Sequence, residues 1–288
     1  MTRRNNLDRV GEVHDRQSDP PPMNNNSEGF NPLSFVAPTE FVELPSKGAF
    51  YPEGHPLHQK ETIEIRYMTA KDEDILSSRT LLKKGIAIER FMQNTVVDKK
   101  INVKDMLVGD RNAIIIAARV SGYGAAYETQ IACPQCGAQA RQNFDLSKKT
   151  VIESVFDIEG LDLTNNEDGT FTTTMPYSKF KICFKLLTGE DEVFMTQSAT
   201  NKRKKKVSET ILTDQYRRMI HSIEGHTGRD IIGKYIDNMP TLDSRHLKAC
   251  YKAASPDIKI IEDFECSSCG YEQELEVPFG ADFFWPDR

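Results

Sequence analysis

Two five-residue motifs constrain this chain more than any other feature: Cys133-Pro134-Gln135-Cys136-Gly137 and Cys266-Ser267-Ser268-Cys269-Gly270. Each sits between two segments with strand character. Tyr127 to Ala132 and Gln139 to Leu146 flank the first, and Ile258 to Glu265 and Glu272 to Val277 flank the second. A Cys-x-x-Cys between strands is knuckle geometry: the tight turn aims both sulfurs the same way, and the glycine lets the chain leave without a clash. One knuckle supplies two thiolates, whereas a structural zinc takes four in a tetrahedron. An ordinary zinc ribbon places its second pair about 15–20 residues on; here 129 residues intervene. Three readings stand on the residues alone: one zinc shared by Cys133, Cys136, Cys266 and Cys269, two reduced dithiols, or a redox pair. A thioredoxin-like motif opens a helix, whereas both of these interrupt strands. A closed four-cysteine site has no open coordination position, so its zinc would be structural.

The order of elements around the knuckles repeats. Thr62 to Met68 alternates in period two and reads as a strand, after a short strand at Phe41 to Leu44 and turn chemistry at Pro45-Ser46-Lys47-Gly48. Thr69 is an expected N-cap with Asp72 as the capping-box acid, on a helix running through Leu81 to Gly85. Ile86 to Val97 and the Ile/Ala-rich Asp110 to Arg119 give two further helices, the latter buried. In the second half, Lys179 to Leu187 reads as a strand and Thr188 with Asp191 as the matching helix start. Helices follow near Glu209 to His221, Arg229 to Asn238 and Asp243 to Ala254. A shift of 119 lays Thr69 and Asp72 on Thr188 and Asp191, and a shift of 133 lays Met106, Asp110 and the first knuckle on Met239, Asp243 and the second. The second copy therefore carries about fourteen extra residues, expected near Thr200 to Lys206. The fold class that follows is α+β. It has a disordered arm at 1–34, a first half at 35–150, a polar connector at 151–178 and a second half at 179–288. The two related halves pack around a shared four-cysteine site about a local two-fold axis.

Composition excludes several classes. Lys+Arg 37 against Asp+Glu 43 gives a net charge of −6, which argues against a general nucleic-acid binder. The longest purely apolar stretch, Ala113 to Ala118, is far short of the roughly 20 residues of a membrane helix. No apolar stretch follows Met1-Thr2-Arg3-Arg4, so no secretory signal is expected and the thiols are expected to stay reduced. His14, His55, His58, His221, His226 and His246 form no metal-binding spacing. The acidic clusters Asp72-Glu73-Asp74 and Glu190-Asp191-Glu192 read as helix starts rather than catalytic carboxylates. No phosphate loop, nucleophile elbow or His-Glu-x-x-His is present. Lys202 to Lys206 is the one concentrated basic run and reads as a solvated loop without interleaved aromatics. The aromatic end, Phe279 to Trp285, either packs back as a plug or docks on a partner.

Leu44-Pro45-Ser46-Lys47-Gly48-Ala49-Phe50-Tyr51-Pro52, then Met68 to Asp74, Gly109-Asp110-Arg111-Asn112, Ser121-Gly122-Tyr123-Gly124 and Cys133-Pro134-x-Cys136, in that order, resemble the T-even-type bacteriophage baseplate protein family, over roughly residues 40 to 288. That family is associated with the central hub of the contractile-tail baseplate. The resemblance implies a non-enzymatic tail-assembly or virion role, made in the host cytoplasm, with other baseplate and tail-hub proteins as partners. It carries over no catalytic residue. The competing expectations are a zinc-ribbon nucleic-acid-binding protein, motivated by the knuckles and the lysine run, and a hydrolase with an unrecognised site.

Overall fold

The computed structural model describes residues 36–204, 210–277 and 281–284. The expected arm at 1–34 lies outside the described residues, as do Lys205, Lys206, Phe279 and Trp285.

The first hairpin pairs β1 (Thr39–Glu43) antiparallel with β2 (Thr62–Arg66). Alternation buries Val42, Ile63 and Ile65 on one face. Past β2 the chain enters α1 (Ala70–Ser77) through the expected capping box. The Asp72 carboxylate accepts the Thr69 N–H at 2.9 Å and both Arg66 guanidinium nitrogens, at 2.7 and 2.9 Å. The single helix expected through Leu81 is two. Ser78 adopts an extended ψ of 107° and caps α2 (Arg79–Lys84), which ends at Gly85 in the left-handed conformation. Helix α3 (Ala87–Thr95) follows, and Val96 bridges back to Ile65 of β2. Helix α4 (Val108–Tyr123) is buried as expected, with Ala113, Ile114, Ile116 and Ala118 in the core. It leads through the hairpin of β3 (Ala126–Ala132) and β4 (Gln139–Asp145) to a short β5 (Lys149–Ile152).

The stretch read from sequence as a polar connector carries two strands, β6 (Leu163–Asn165) and β7 (Thr170–Thr174). They join β8 (Lys181–Lys185) and β9 (Ile220–Ile223) in an antiparallel sheet ordered β6-β7-β8-β9. The threonine run of β7 is strand-forming because its branched side chains suit a pleated surface, and it buries Phe171 and Thr173. Helix α5 (Gly189–Lys204) starts at Thr188 and Asp191 as expected. It reaches into the basic run, so Lys202 to Lys204 are helical rather than loop. Helix α6 (Ile211–Met219) stops where β9 begins, which places His221 in a strand. Helices α7 (Arg229–Asp237) and α8 (Thr241–Ala254) lead to β10 (Asp257–Glu265) and β11 (Glu272–Glu276).

Residues of both sequence halves share one hydrophobic core, from Val42 to Phe284. Strand β5 pairs with β10 rather than with its own neighbour β4. Gly189 opens α5 where only a residue without a side chain fits, because a Cβ there would lie 1.3 Å from Arg111 Nη1 of α4. At the far end of α4, buried Arg119 donates to the carbonyls of Phe283, Gly124 and Ala126. Phe283 packs on Tyr127 and Phe284 on Phe91, with ring centroids 5.1 and 5.2 Å apart. The described part of the aromatic end is thus a plug.

The Asp72 network predicts an acid-sensitive term in stability. Burial pushes this carboxyl up, but the bonds from Arg66, Thr69 and Asn94 outweigh it and hold the group at about 2, below its ordinary 3.8. A depressed pKa stabilises the fold above the unfolded value and is lost as pH falls through the folded one. Asp72→Asn is expected to cost roughly 2 kcal/mol at neutral pH. In chemical denaturation the gap between wild type and variant should close as pH drops from about 4 to 2; a gap independent of pH would refute the assignment.

Candidate metal centre

Each knuckle is closed by its own backbone. After β3, the Cys133 N–H donates to the Ala138 carbonyl at 2.8 Å, and the Gly137 N–H returns to the Cys133 carbonyl at 2.9 Å. After β10, Cys266 N–H donates to Tyr271 at 2.9 Å and Gly270 N–H returns to Cys266 at 2.8 Å. Gly137 and Gly270 both take the left-handed conformation, with φ of 73° and 68°. The two turns share one hydrogen-bond pattern and one glycine conformation.

Packing brings them together. Phe264, buried to 1% exposure, forms a small cluster with Cys133 and Cys266, flanked by Ala140, Tyr271 and Leu275. Glu262 of β10 accepts the Asp145 N–H at 3.1 Å, which fastens the end of β4 to the strand leading into the second knuckle. All four sulfurs lie within 4.8 Å of one another. Cys133 Sγ is 3.8 Å from Cys269 Sγ, and Cys136 Sγ is 3.7 Å from Cys266 Sγ. In each close pair a buried cysteine of one knuckle faces an exposed cysteine of the other.

These distances discriminate between chemistries. A disulfide would need about 2.05 Å. A tetrahedron with metal–sulfur bonds of about 2.3 Å sets its sulfurs about 3.8 Å apart, the separation of the two close pairs. The donors also fit a cation electrostatically. Backbone N–H groups of Ser268 and Cys269 hold the Cys266 thiol down, to about 6. For Cys269 the Tyr271 N–H favours the thiolate, but desolvation and the neighbouring sulfurs outweigh it and raise the group to about 12. Crowded sulfurs resist sharing negative charge, and a divalent cation relieves that conflict. The four cysteines could therefore hold a metal ion, with no position left open for substrate.

The remaining candidates fall into structural roles. His55 stacks on Tyr51, and His58 Nδ1 meets the Tyr51 carbonyl at 2.7 Å. His221 and His226 are exposed, and His14 lies outside the described residues. Asp191 is buried like Asp72, bound by Lys185 at 2.8 Å and Arg218 at 2.6 Å. Both acidic clusters thus serve helix starts. Lys202 binds Asp214 at 2.5 Å. Lys83, Lys84 and Lys204 line a groove of about 480 Å³ between α2 and α5 that has no aromatic wall.

Sequence reasoning missed one constellation. His246 and Cys250, one turn apart on α8, meet at 3.5 Å, and both touch the Thr173 hydroxyl. The i, i+4 spacing was the available signal. Burial pushes the Cys250 thiol up and the His246 imidazole down. The thiol is fully buried, the opposite of an activated nucleophile.

A family model described as T4 bacteriophage base plate protein matches residues 37–285. No curated protein and no solved structure matches the chain. No helix among the described residues is long and apolar enough to cross a membrane.

The shared geometry predicts one divalent metal per chain. Elemental analysis of purified protein should find it, and Cys133→Ser and Cys266→Ser should abolish it equally, because each knuckle alone offers two ligands. Two ions per chain, or half the metal surviving either substitution, would break the four-sulfur assignment.

Proposed function

Because the chain belongs to the T4 bacteriophage base plate protein family, whose model matches residues 37–285, we propose that it is a non-enzymatic structural or assembly component of the contractile-tail baseplate hub. The family match is the observation that carries this reading. It places the protein in a phage baseplate; the hub position, the binding of other tail proteins and assembly in the host cytoplasm are the proposed refinement. The site chemistry supports a role without catalysis: the four sulfurs leave no open position, the Cys250 thiol beside His246 is buried, and Asp72 and Asp191 of the acidic clusters are engaged at helix starts.

In this reading Cys133, Cys136, Cys266 and Cys269 bind one structural zinc, since four thiolates in a tetrahedron suit a borderline-soft d10 cation. The ion would tie together two halves descended from one duplicated unit. Paired details support the duplication. Val96 bridges Ile65 after α3, and Ile220 pairs with Phe184 after α6. Helices α3 and α6 each have 9 residues. Asp110 accepts the Ser46 N–H in the turn after β1, and Asp243 accepts the Tyr177 and Ser178 N–H groups in the turn after β7. On this alignment five of the fourteen extra residues fall between Asp191 and Ile220, and nine fall between Ile220 and Met239, the stretch of α7. The insertion is therefore split instead of lying wholly at the lysine run.

The nucleic-acid reading has less support. Lys202 is engaged by Asp214, and the lysine groove lacks the aromatic platform on which unpaired bases stack.

Depleting the protein in infected cells is expected to leave tails that fail to assemble or to infect, and pull-down of the intact chain should recover tail-hub proteins. Normal tails of normal infectivity would remove the baseplate role. Strong DNA or RNA binding at low ionic strength that falls steeply with salt would instead favour the nucleic-acid reading.

A further inference from the structure

The two hairpins treat their outer edges differently. In the pairing of β1 with β2, Leu44 donates to Glu61 and Tyr67 donates to Pro38. Antiparallel alternation then turns the backbone groups of Glu40 and Val42 toward β2, and those of Thr39, Phe41 and Glu43 away from it. In the second hairpin the same alternation turns Thr170, Thr172 and Thr174 of β7 away from β8. There β6 covers the edge: Thr164 pairs with Thr172, and Asn166 donates to the Thr170 carbonyl at 3.0 Å. Among the described residues, β1 has no such cover. Its edge carries exposed Thr39, Phe41 and Glu43, with Phe41 69% exposed. An open edge with an aromatic on it is a template for another strand.

We propose that β1 pairs edge to edge with β1 of a second copy, antiparallel and centred on Phe41. The five-residue strand Thr39-Glu40-Phe41-Val42-Glu43 is self-complementary in that register. Phe41 meets Phe41 of the partner, an aromatic cross-strand pair of the stabilising kind. Each Glu43 falls opposite a Thr39 hydroxyl, and each Glu40 falls opposite Val42, so no like charges face one another directly. All three outward-facing residues become hydrogen-bonded pairs, and the two hairpins merge into one four-stranded ribbon. A different strand laid on this edge would have to supply its own answer to Glu43 and Phe41, whereas a second copy already carries one. Both copies are net negative, so the association should strengthen with added salt, as screening removes their mutual repulsion.

Sedimentation velocity of the full chain tests this. The expected result is a concentration-dependent dimer. Phe41→Pro should render it monomeric without unfolding it, because the Phe41 N–H makes no backbone bond to another described residue and proline is tolerated at a strand edge. Phe41→Lys, which keeps the backbone donor but sets two ammonium groups opposite each other, should do the same. Phe41→Cys should give a covalent dimer on mild oxidation that wild type does not form, since directly opposed hydrogen-bonded residues have Cα atoms about 5.5 Å apart, within disulfide reach. A chain that stays monomeric up to roughly millimolar concentration, where even small interfaces pair, overturns the proposal. So does a dimer that Phe41→Pro and Phe41→Lys leave intact, or a β1 edge captured by a strand of another tail protein with no self-association.

Discussion

Four carboxylates with no exposed surface, Asp72, Asp110, Asp191 and Asp243, hold this fold in register. A buried carboxylate is tolerable only when its oxygens are hydrogen-bonded, and each of these is. Asp72 and Asp191 close the turn between a strand and its following helix and bind a cation from that strand, Arg66 or Lys185. Asp110 sits at the start of α4 and accepts the Ser46 N–H, the Ser46 hydroxyl and the Tyr51 hydroxyl. Tyr51 in turn accepts the Leu107 N–H, so the loop after β1 is fastened to the helix entry twice. Burial outweighs these bonds and raises the Asp110 carboxyl, which marks how far the chain goes to keep an acid in its interior. Such a group specifies position more than it adds stability, because an apolar residue could fill the volume but could not select these donors.

The knuckles inherit that positioning. Asp110 fixes the start of α4, and α4 runs directly into β3 and the first Cys-x-x-Cys. Asp243 fixes the start of α8, and α8 runs into β10 and the second. The two sulfur pairs come within bonding reach of a common ion because two helices of similar length, each anchored at its N-terminus by one aspartate, deliver their hairpins to the same place. Glu262 and Phe264 complete the approach.

The elements legible in the sequence were those with a local physical signature. Thr69 with Asp72, and Thr188 with Asp191, are capping patterns readable from four residues. The strands around each knuckle alternate, and the Ile/Ala run of α4 announces burial. What escaped depends on competing local bonds or on more distant partners. Ser78 splits the first helix with a serine cap that competes with a continuous helical pattern. The threonines of β7 look like a polar linker until β6 and β8 flank them. Lys202, in the helical part of the basic run, is held by Asp214, twelve residues on. The membership of the sulfur cluster was legible; its packing was not. Each knuckle could be read alone and their meeting was expected from the repeat, but the contacts that bring them together, β10 packing beside β4, are encoded by no spacing.

That dependence decides what kind of cross-link the cluster can be. A disulfide across so long a loop acts mainly by restricting the unfolded chain, an effect that grows with the logarithm of loop length. A metal held by four thiolates leaves when the chain unfolds and restricts nothing there; its contribution is the affinity of the folded site for the ion, set by free metal and by pH through thiol deprotonation. The cluster therefore depends on tertiary structure already formed by Phe264, Glu262 and the β5–β10 pairing, and a bound ion would add its binding energy to that arrangement. An ion there would fasten the two hairpins only after they have packed together, so it would follow from the packing rather than direct it.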